Sequence, residues 1–274
     1  MKNNLLKEKA TFIRIETLRI HKIAQETRVA SSLSPIEIFV ALYYGKLLHV
    51  NPCNPRDEQR DRFIISKGHG SISMYPLLAD LGFFDKAELK KVCQEGTFLG
   101  GIPDPIIPGY ETVNGSLGHG LGVGCGIALA LKTKDIPQNV VVLTGDGELD
   151  EGSNWEAIMF APQHQLDNLT LIVDYNKVSM LDFSKNIIDL SSLNAKFEAF
   201  HWDVYEVKEG HNVEEVYTCL KEVIHHRNGK PKVVIVNTIK GKGVPFLETH
   251  PLSHILSVKP EEIDALIKEL ENAN

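Results

Sequence analysis

An aspartate between two glycines follows directly after an apolar segment in "VVLTGDGELDEG", residues 141–152. Gly-Asp-Gly is ordinary turn chemistry, because glycine adopts positive φ and a short carboxylate bonds nearby backbone amides. At the carboxyl end of a buried parallel strand, the same residues would instead lie where open α/β sheets bind their ligands. The motif by itself is compatible with a solvated turn and with a metal site.

A second polar residue, Asn176 in "LIVDYNKV", follows the next apolar segment. A right-handed strand-helix-strand crossover would bring Asp146 and Asn176 to the same edge of a sheet. Mg²⁺ prefers about six oxygens, so the Asp146 carboxylate, the Asn176 amide oxygen and a carbonyl near Val178 would leave room for two diphosphate oxygens and a water. Gly145 and Gly147 would let the backbone approach that diphosphate closely.

The elements needed to position these residues are visible in the second half of the chain, where strand-like and helix-like segments alternate. In order they are "NVVVLT", "NWEAIMFAPQHQ", "LTLIV", "LNAKFEAF", "DVYEV", "VEEVYTCLKEVIHH" and "KVVIVNT". Continuous Val/Ile/Leu runs separated by helices are typical of a parallel sheet buried on both faces. We therefore predict an α/β fold with helices on both faces of a parallel sheet. No linker or repeat divides residues 1–274, so we expect a single domain.

The first half has fewer strand signals. An N-terminal helix and a second helix starting with Ser34 and Pro35 are predicted, followed by the short strand "FIIS" and the turn "KGHG". Residues 96–114 are rich in Pro and Gly, and a loop of that length is usually functional or disordered. A helix predicted to start near Leu117 carries glycines at every second position, which suggests close backbone packing at a subunit interface; these are Gly118, Gly120, Gly122, Gly124 and Gly126.

Composition excludes several classes of function. The chain is 43% hydrophobic and 24% charged, as in ordinary globular proteins, and its formal charge of −7 disfavours nucleic acid as a partner. The four cysteines are widely spaced without a C-x-x-C pair, which favours free thiols in a reducing compartment. No apolar stretch reaches the roughly 18 residues of a membrane span. We expect neither membrane nor nucleic-acid binding, and a cytoplasmic location.

With these segments in place, the chain resembles a known family. "GDGELDEGSNWEA" together with "LDNLTLIVDYNK" is similar to the N-terminal, diphosphate-binding half of transketolase, most closely the form split into two short chains. The similarity continues through "PRDEQRDRFIISKGHG", "PGYETVNGSLGHGLGVGCGIALALK", "FEAFHWDVYEV" and "KGKGVPFLETHPLSH". The resemblance implies the thiamine-diphosphate-binding fold and, as cofactors, thiamine diphosphate with Mg²⁺ or another divalent cation such as Ca²⁺ or Mn²⁺.

The resemblance also implies roles for individual residues. Asp146 and Asn176 match the metal side-chain ligands, Val178 matches the carbonyl ligand, and Gly145 and Gly147 lie where the family's chain meets the diphosphate. In "GSLG", Gly115 and Leu117 match contacts to the aminopyrimidine ring.

Two histidines match catalytic and cofactor-binding residues of the family. His69 of "KGHG" and His254 of "PLSH" correspond to histidines that line the diphosphate and thiazolium end, although Ile255 replaces the family's usual glycine. Each could instead be an ordinary loop histidine. The histidines without a counterpart are expected at the surface or at helix ends; they are His49, His164, His201, His211, His225 and His226.

Two glutamates have two compatible interpretations. Ser153-x-x-Glu156 is the pattern of a capping box, with Glu151 near the positive end of the same helix. The resemblance implies instead that Glu151 and Glu156 join a proton network between the two cofactor sites of a dimer.

The family's pyrimidine-binding domain is not found in these 274 residues. We therefore expect a partner chain that carries it, a C-terminal transketolase-like subunit, in an α₂β₂ assembly. The resemblance implies transfer of a two-carbon ketol unit from a ketose, or ketose phosphate, to an aldose.

The donor site departs from the family at two positions. Arg28 and Ile102 stand where the family has histidines that contact the sugar donor, so both are possible substrate residues. Arg28 could contact an anion. Two alternatives to ketol transfer remain at this point: a thiamine-diphosphate enzyme acting on a 2-oxo acid, and a non-catalytic homologue.

Overall fold

The structure is a computed structural model, and it describes residues 2–272. Within that range the strands form one parallel five-stranded sheet in the order β1-β2-β3-β5-β4. The strands are β1 (Arg62–Ile65), β2 (Val140–Gly145), β3 (Leu169–Tyr175), β4 (Asp203–Val207) and β5 (Lys232–Asn237). Each corresponds to a segment predicted as a strand, so the predicted α/β class is confirmed.

The helices lie on both faces of this sheet. They are α1 (Lys2–Ile23), α2 (Val29–Leu33), α3 (Ile36–Tyr43), α4 (Met74–Leu81), α5 (Gly120–Thr133), α6 (Gly152–Gln163), α7 (Ser184–Ile187), α8 (Leu193–Ala199), α9 (Val213–Val223), α10 (Pro245–Thr249) and α11 (Pro260–Asn272). The N-terminal helix and helices α6, α8 and α9 lie where the sequence predicts them, whereas α4 and α7, which also lie between strands, were not predicted.

Alternate side chains of the central strands enter two separate cores, because successive residues of a strand point to opposite faces. Val141 and Leu143 of β2 pack into the core shared with α1, α3, α4, α9 and α11. Val140 and Val142 pack into the core shared with α5, α6 and α8. Burial on both faces explains why these strands are continuous apolar runs.

Two predicted helix boundaries are wrong by a few residues. The helix expected to start with Ser34 and Pro35 begins at Ile36, since α2 occupies the preceding residues. The helix expected near Leu117 begins at Gly120, because Gly118 has φ +86°, which an α-helix does not allow.

The glycine-rich helix α5 packs closely against the sheet on one side only. A Cβ on Gly124 would lie 2.5 Å from Val142 Cγ2, and one on Gly120 would lie 2.4 Å from Ser66 Oγ. A Cβ on Gly122 or Gly126 would meet nothing within 4 Å. Close packing therefore explains Gly120 and Gly124, whereas Gly122 and Gly126 lie on an open face of the helix.

The loop predicted at residues 96–114 contains no helix or strand in the structure, as expected. Side chains nevertheless fix it to the rest of the fold. The Tyr75 hydroxyl donates to the Gly100 carbonyl at 2.7 Å, and the Tyr110 hydroxyl donates to the Ser71 carbonyl at 2.9 Å. This loop therefore has defined contacts with the helix that starts at Met74 and with the turn before it.

The four cysteines are unpaired, as expected. Within residues 2–272, none of the helices has the length and apolar character needed to span a bilayer.

Candidate functional site

Asp146 lies directly after β2 at the carboxyl edge of the sheet and is 4% exposed. Its Oδ2 accepts hydrogen bonds from the Lys177 amide at 3.0 Å and the Ser184 hydroxyl at 2.7 Å. Its Oδ1 accepts none from the part of the chain that the structure describes. Burial, with a further contribution from the Asp174 carboxylate, raises the pKa of Asp146 to about 6. A nearby cation would favour the ionised form.

Asn176 follows β3, the neighbour of β2, so the crossover brings it to the same edge as predicted. Its Nδ2 faces Asp174 Oδ2 at 3.3 Å, and its Oδ1 accepts from the Val178 amide at 3.2 Å. The Val178 carbonyl accepts a hydrogen bond from Lys240 Nζ at 2.8 Å. The predicted ligand oxygens are thus neighbours, and a lysine contacts one of them.

A buried ion pair lies beneath these residues. Lys67, from the turn after β1, donates to the Asp174 carboxylate at the end of β3, and both side chains are almost fully buried. The Ser34 hydroxyl donates to Asp174 Oδ2 at 2.6 Å, and the Thr238 hydroxyl donates to Oδ1. Burial alone would raise the pKa of Asp174, but Lys67 and these hydrogen bonds more than offset it, so the pKa is lowered.

Lys240 is a site residue that sequence reasoning missed. It is 4% exposed, and its Nζ lies 3.1 Å from His254 Nδ1 in addition to its contact with Val178. Burial and the charge of Lys67 lower its pKa to about 7. Lys240 follows β5 closely in the sequence, but only the pairing of β5 with β3, which the structure shows, places it at the metal edge.

The structure brings His69 and His254 together, with ring centres 4.8 Å apart. Burial, with the charges of Lys67, Lys240 and Arg28, lowers the pKa of His69 well below its usual value. Burial, with the same nearby cations, lowers the pKa of His254 to about 3. Both histidines are therefore neutral near pH 7.

The turn that carries His69 also contacts the segment around Gly115. A Cβ on Gly68 would lie 2.0 Å from the Asn114 carbonyl, and a Cβ on Gly115 would lie 3.2 Å from Ile102 Cδ1. The predicted aminopyrimidine segment, including the half-buried Leu117, and the predicted substrate residue Ile102 therefore lie near the turn that carries His69.

Arg28 immediately precedes α2, which packs against the turn at residues 68–70. Its side chain is exposed, and its guanidinium forms no hydrogen bond or ion pair with any other residue between 2 and 272. Its charge contributes to lowering the pKa of both His69 and His254. The Arg28 charge therefore acts on the histidine pair, and the N–H groups of its guanidinium are available to a ligand.

The capping-box prediction is wrong. Helix α6 starts at Gly152, and Glu151 at its N-cap makes no capping hydrogen bond. Ser153 lies inside the first turn, where its hydroxyl donates to the Gly118 carbonyl at 2.9 Å instead. Glu151 and Glu156 are both exposed, beside a groove between α5 and α6.

The buried glutamate of this region is Glu148, which the sequence did not single out. Its carboxylate accepts from the Ser66 hydroxyl, from the Gly118 amide at 3.0 Å and from the Gly145 amide at 3.2 Å. Burial raises its pKa in spite of these bonds. Glu148 therefore ties the turn after β2 to β1 and to the segment before α5.

A cavity of about 600 Å³ opens over the metal-site half of this edge. It is lined by Asp146, Asn176, Val178, Ser184 and Ile239, among others, whereas His69 and His254 are not part of its wall. Its volume is within the usual range for a small-molecule site. The histidine pair borders the site but lies outside this cavity.

The residues present fit a divalent cation bound together with a diphosphate. Among the described residues, no three His, Cys, Asp or Glu side chains cluster to form a metal site by themselves. One free carboxylate oxygen, an amide oxygen and a carbonyl are a partial set of hard oxygen ligands, which suits a cation that takes its other ligands from phosphate. A Cβ on Gly147 would lie 3.1 Å from Ser179 Oγ, so the turn after β2 leaves little room for a side chain at this position.

A parallel sheet with oxygen ligands, two glycines and a buried lysine at its carboxyl edge defines an α/β domain of the kind that binds a diphosphate cofactor. The family model for the transketolase thiamine diphosphate-binding domain matches residues 7–272. The chain belongs to the transketolase family, and it corresponds to that domain.

Individual relatives agree with this assignment. The chain is 40% identical over 88% of its length to one of the subunits of the apulose-4-phosphate transketolase of Actinobacillus succinogenes, covering 87% of that protein. It is 38% identical over 89% of its length to the 6-deoxy-6-sulfo-D-fructose transketolase subunit SqwG of a Clostridium species, covering 88% of that protein. The crystal structure of Campylobacter jejuni transketolase superposes with a TM-score of 0.88 at 30% identity, over 98% of this chain and 43% of that one.

Proposed function

We propose that this chain is the diphosphate-binding subunit of a two-component transketolase, which transfers a two-carbon ketol unit from a ketose phosphate donor to an aldose acceptor. The observation that carries the proposal is the convergence of Asp146, Asn176 and the Val178 carbonyl at one sheet edge. Similarity to two transketolase subunits supports ketol transfer over the alternatives.

In this proposal Asp146, Asn176 and Val178 hold Mg²⁺ or a similar divalent cation, and Gly145 and Gly147 allow the diphosphate to approach. Lys240 would donate to the diphosphate, since its buried ammonium already lies at the Val178 carbonyl. Thiamine diphosphate, when bound, supplies the nucleophile and the electron sink for carbon–carbon cleavage. Gly115 and Leu117 would contact its aminopyrimidine ring, and His69 and His254 would face the thiazolium end as neutral hydrogen-bonding groups.

We further propose that the pyrimidine-binding domain belongs to a separate chain and that residues 1–274 act as one cofactor domain in an α₂β₂ assembly. Two relatives are themselves named as subunits of transketolases. The exposed apolar residues Val123, Met159 and Phe160, near the open glycines of α5, would provide a contact between subunits. Glu151 and Glu156 lie beside that surface and would become buried in the assembly, where they could form the predicted network.

Arg28 and Ile102 are the proposed determinants of donor choice. Ile102 is 43% exposed beside Gly115, so it would present an apolar surface to the substrate. Arg28 presents free guanidinium donors near the histidine pair, which suits a carboxylate, phosphate or sulfonate on the donor.

The deciding experiment is the donor half-reaction of this chain co-purified with the partner chain encoded beside it, with Mg²⁺ and thiamine diphosphate. An oxidising dye would follow the reaction with a panel of ketoses, ketose phosphates and pyruvate. We expect a signal with ketose phosphates that is abolished by Asp146→Ala and retained in Asp135→Asn, an exposed control at the end of α5. A signal from pyruvate alone, with release of CO₂, would overturn the proposal.

A further inference from the structure

Hydrogen bonds to several other segments hold the loop that carries Lys240, residues 238–243, which we call the Lys240 loop. Besides the bond from Thr238 to Asp174, the Ile239 amide donates to His211 Nε2 at 2.8 Å, the Gly241 amide donates to the Ala30 carbonyl at 3.0 Å, and Arg14 Nη1 donates to the Lys242 carbonyl at 2.8 Å. Each residue from 238 to 242 therefore has a hydrogen bond to a segment outside the loop, and the bond of Lys240 is made by its side chain.

The contact between Ile239 and His211 requires one particular tautomer of the His211 ring. A backbone amide can only donate, so His211 Nε2 must be unprotonated where it accepts from Ile239. Its Nδ1 then carries the proton and donates to Glu37 Oε2 at 3.0 Å. The His211 side chain is 16% exposed. His211 lies directly before the N-cap of α9, so the expectation of a surface or helix-end position is met, but its two hydrogen bonds give it a structural role that the sequence did not indicate.

Glu37 connects His211 to the second contact. Its Oε1 accepts from Arg14 Nη2, and the Arg14 Nη1 that binds the Lys242 carbonyl also donates to the Leu33 carbonyl at 3.0 Å. Burial alone would raise the pKa of Glu37, but Arg14 and His211 more than offset it and lower the pKa. Glu37 is therefore a buried anion that orients one loop-binding group on each side of Lys240.

We propose that His211 is a positioning residue for Lys240: with Glu37 and Arg14 it forms a relay that sets where the Lys240 ammonium meets the cofactor diphosphate. The inference rests on the proposed function in one respect, the contact between Lys240 and the diphosphate. His211, Glu37 and Arg14 line neither the cofactor cavity nor the histidine pair, so they act on the site through the backbone of the Lys240 loop, including the cavity residue Ile239. Ile239 directly precedes Lys240, so loss of its bond to His211 would let the backbone beside Lys240 shift.

Two substitutions test the two hydrogen bonds of His211 independently. The amide nitrogen of Asn in His211→Asn coincides with Nδ1, so this variant keeps the donor to Glu37 and loses the acceptor for Ile239. Gln is longer, so His211→Gln places an amide oxygen near Nε2 and keeps the acceptor for Ile239. His226→Gln is the matched control, because His226 is exposed and its side chain has no hydrogen bond to another residue in the described part of the chain.

The experiment measures the Kd for thiamine diphosphate, with Mg²⁺, in the complex with the partner chain. We expect His211→Asn to raise this Kd about tenfold, a loss comparable to one hydrogen bond, with kcat at saturating cofactor within about twofold of the unsubstituted complex. His211→Gln should restore the Kd to within about twofold, and His226→Gln should leave it unchanged.

Amide hydrogen exchange of the Lys240 loop, measured without cofactor, is the second readout. We expect His211→Asn to speed exchange in residues 238–243, and His211→Gln to restore protection. Unchanged loop exchange, or equal weakening of cofactor binding by Asn and Gln, would overturn the proposed relay. If exchange responds as expected but the Kd does not move, the assumed contact between Lys240 and the diphosphate is wrong, and that part of the proposed function fails with it.

Discussion

Lys240 Nζ approaches His254 Nδ1 to 3.1 Å, and the same imidazole packs against the ring of His69. An ammonium can only donate, so Nδ1 accepts and His254 carries its proton on Nε2. The lowered pKa of about 3 is consistent with this neutral tautomer. The pair therefore presents uncharged imidazoles next to a cation.

His254→Asn should reduce kcat/KM for the donor by roughly 10- to 100-fold, as expected when a positioned polar group is removed from a reacting centre. Thermal stability should change little, because the ring is only partly buried. Steady-state kinetics of the two-chain complex with a ketose phosphate would measure the effect, with His226→Gln as control. A change in kcat/KM of less than twofold would show that His254 has no catalytic role.

The Lys67–Asp174 pair should contribute to stability in a strongly non-additive way. Breaking it from one side, with Lys67→Met or Asp174→Leu, leaves a buried charge without its partner and should cost about 3–5 kcal/mol. The double variant should be less destabilised than the sum of the two single variants. Urea unfolding of the two single variants and the double variant would measure their free energies of unfolding.

The exposed pair Lys22–Asp264 is the matched control for that prediction. Its removal should cost less than about 1 kcal/mol, because solvent screens exposed ion pairs. Additive losses from Lys67 and Asp174 would show that the two side chains are not energetically coupled.

Substitution at Arg28 should change donor preference without changing cofactor affinity. Arg28→His restores the residue type expected from the family, and we expect it to raise kcat/KM for ordinary ketose phosphates by severalfold. It should reduce kcat/KM about tenfold for donors whose anionic group pairs with the guanidinium. The Kd for thiamine diphosphate serves as the internal control. Parallel changes for every donor would contradict a role in specificity.

Burial of His21 should make the chain less stable in mild acid. Its Nδ1 pairs with the Thr27 hydroxyl at 2.7 Å, its Nε2 accepts from the Val258 amide at 3.3 Å, and burial lowers its pKa to about 4. The unfolded chain takes up the proton at about pH 6.5, before the folded chain does, so stability falls as the pH drops from about 7 towards 4. The loss from this group reaches up to about 3 kcal/mol.

Urea unfolding at about pH 7 and about pH 5 would measure the first part of that loss, about 2 kcal/mol. His21→Gln should be less stable at the higher pH and should show a smaller difference between the two, because glutamine does not titrate. An equal pH difference in both proteins would assign the acid sensitivity to other groups.

Much of the fold could be predicted because it depends on burial pattern. Strands such as Val140–Gly145 are buried on both faces and read as continuous apolar runs, so their positions follow from the sequence. The proximity of Asp146 and Asn176 follows as well, since a right-handed crossover joins the two strands.

Other features depend on contacts between distant segments, which a sequence pattern does not record. The capping box failed because Ser153 bonds to the Gly118 carbonyl, a tertiary contact that outweighs the local cap. Lys240 was missed because only the strand order, with β5 beside β3, places it at the metal edge. The contacts of His211 could not be predicted, because its partners Glu37 and Ile239 belong to other parts of the chain.

The strand order also determines when the site can form during synthesis. Among residues 2–272, β5 is the last strand in sequence, yet it lies between β3 and β4. Until it has left the ribosome, β3 and β4 each have an unpaired inner edge, and such edges are prone to wrong pairing. The Lys240 loop follows β5 immediately, so a nascent chain completes its sheet and its cofactor edge in the same late step.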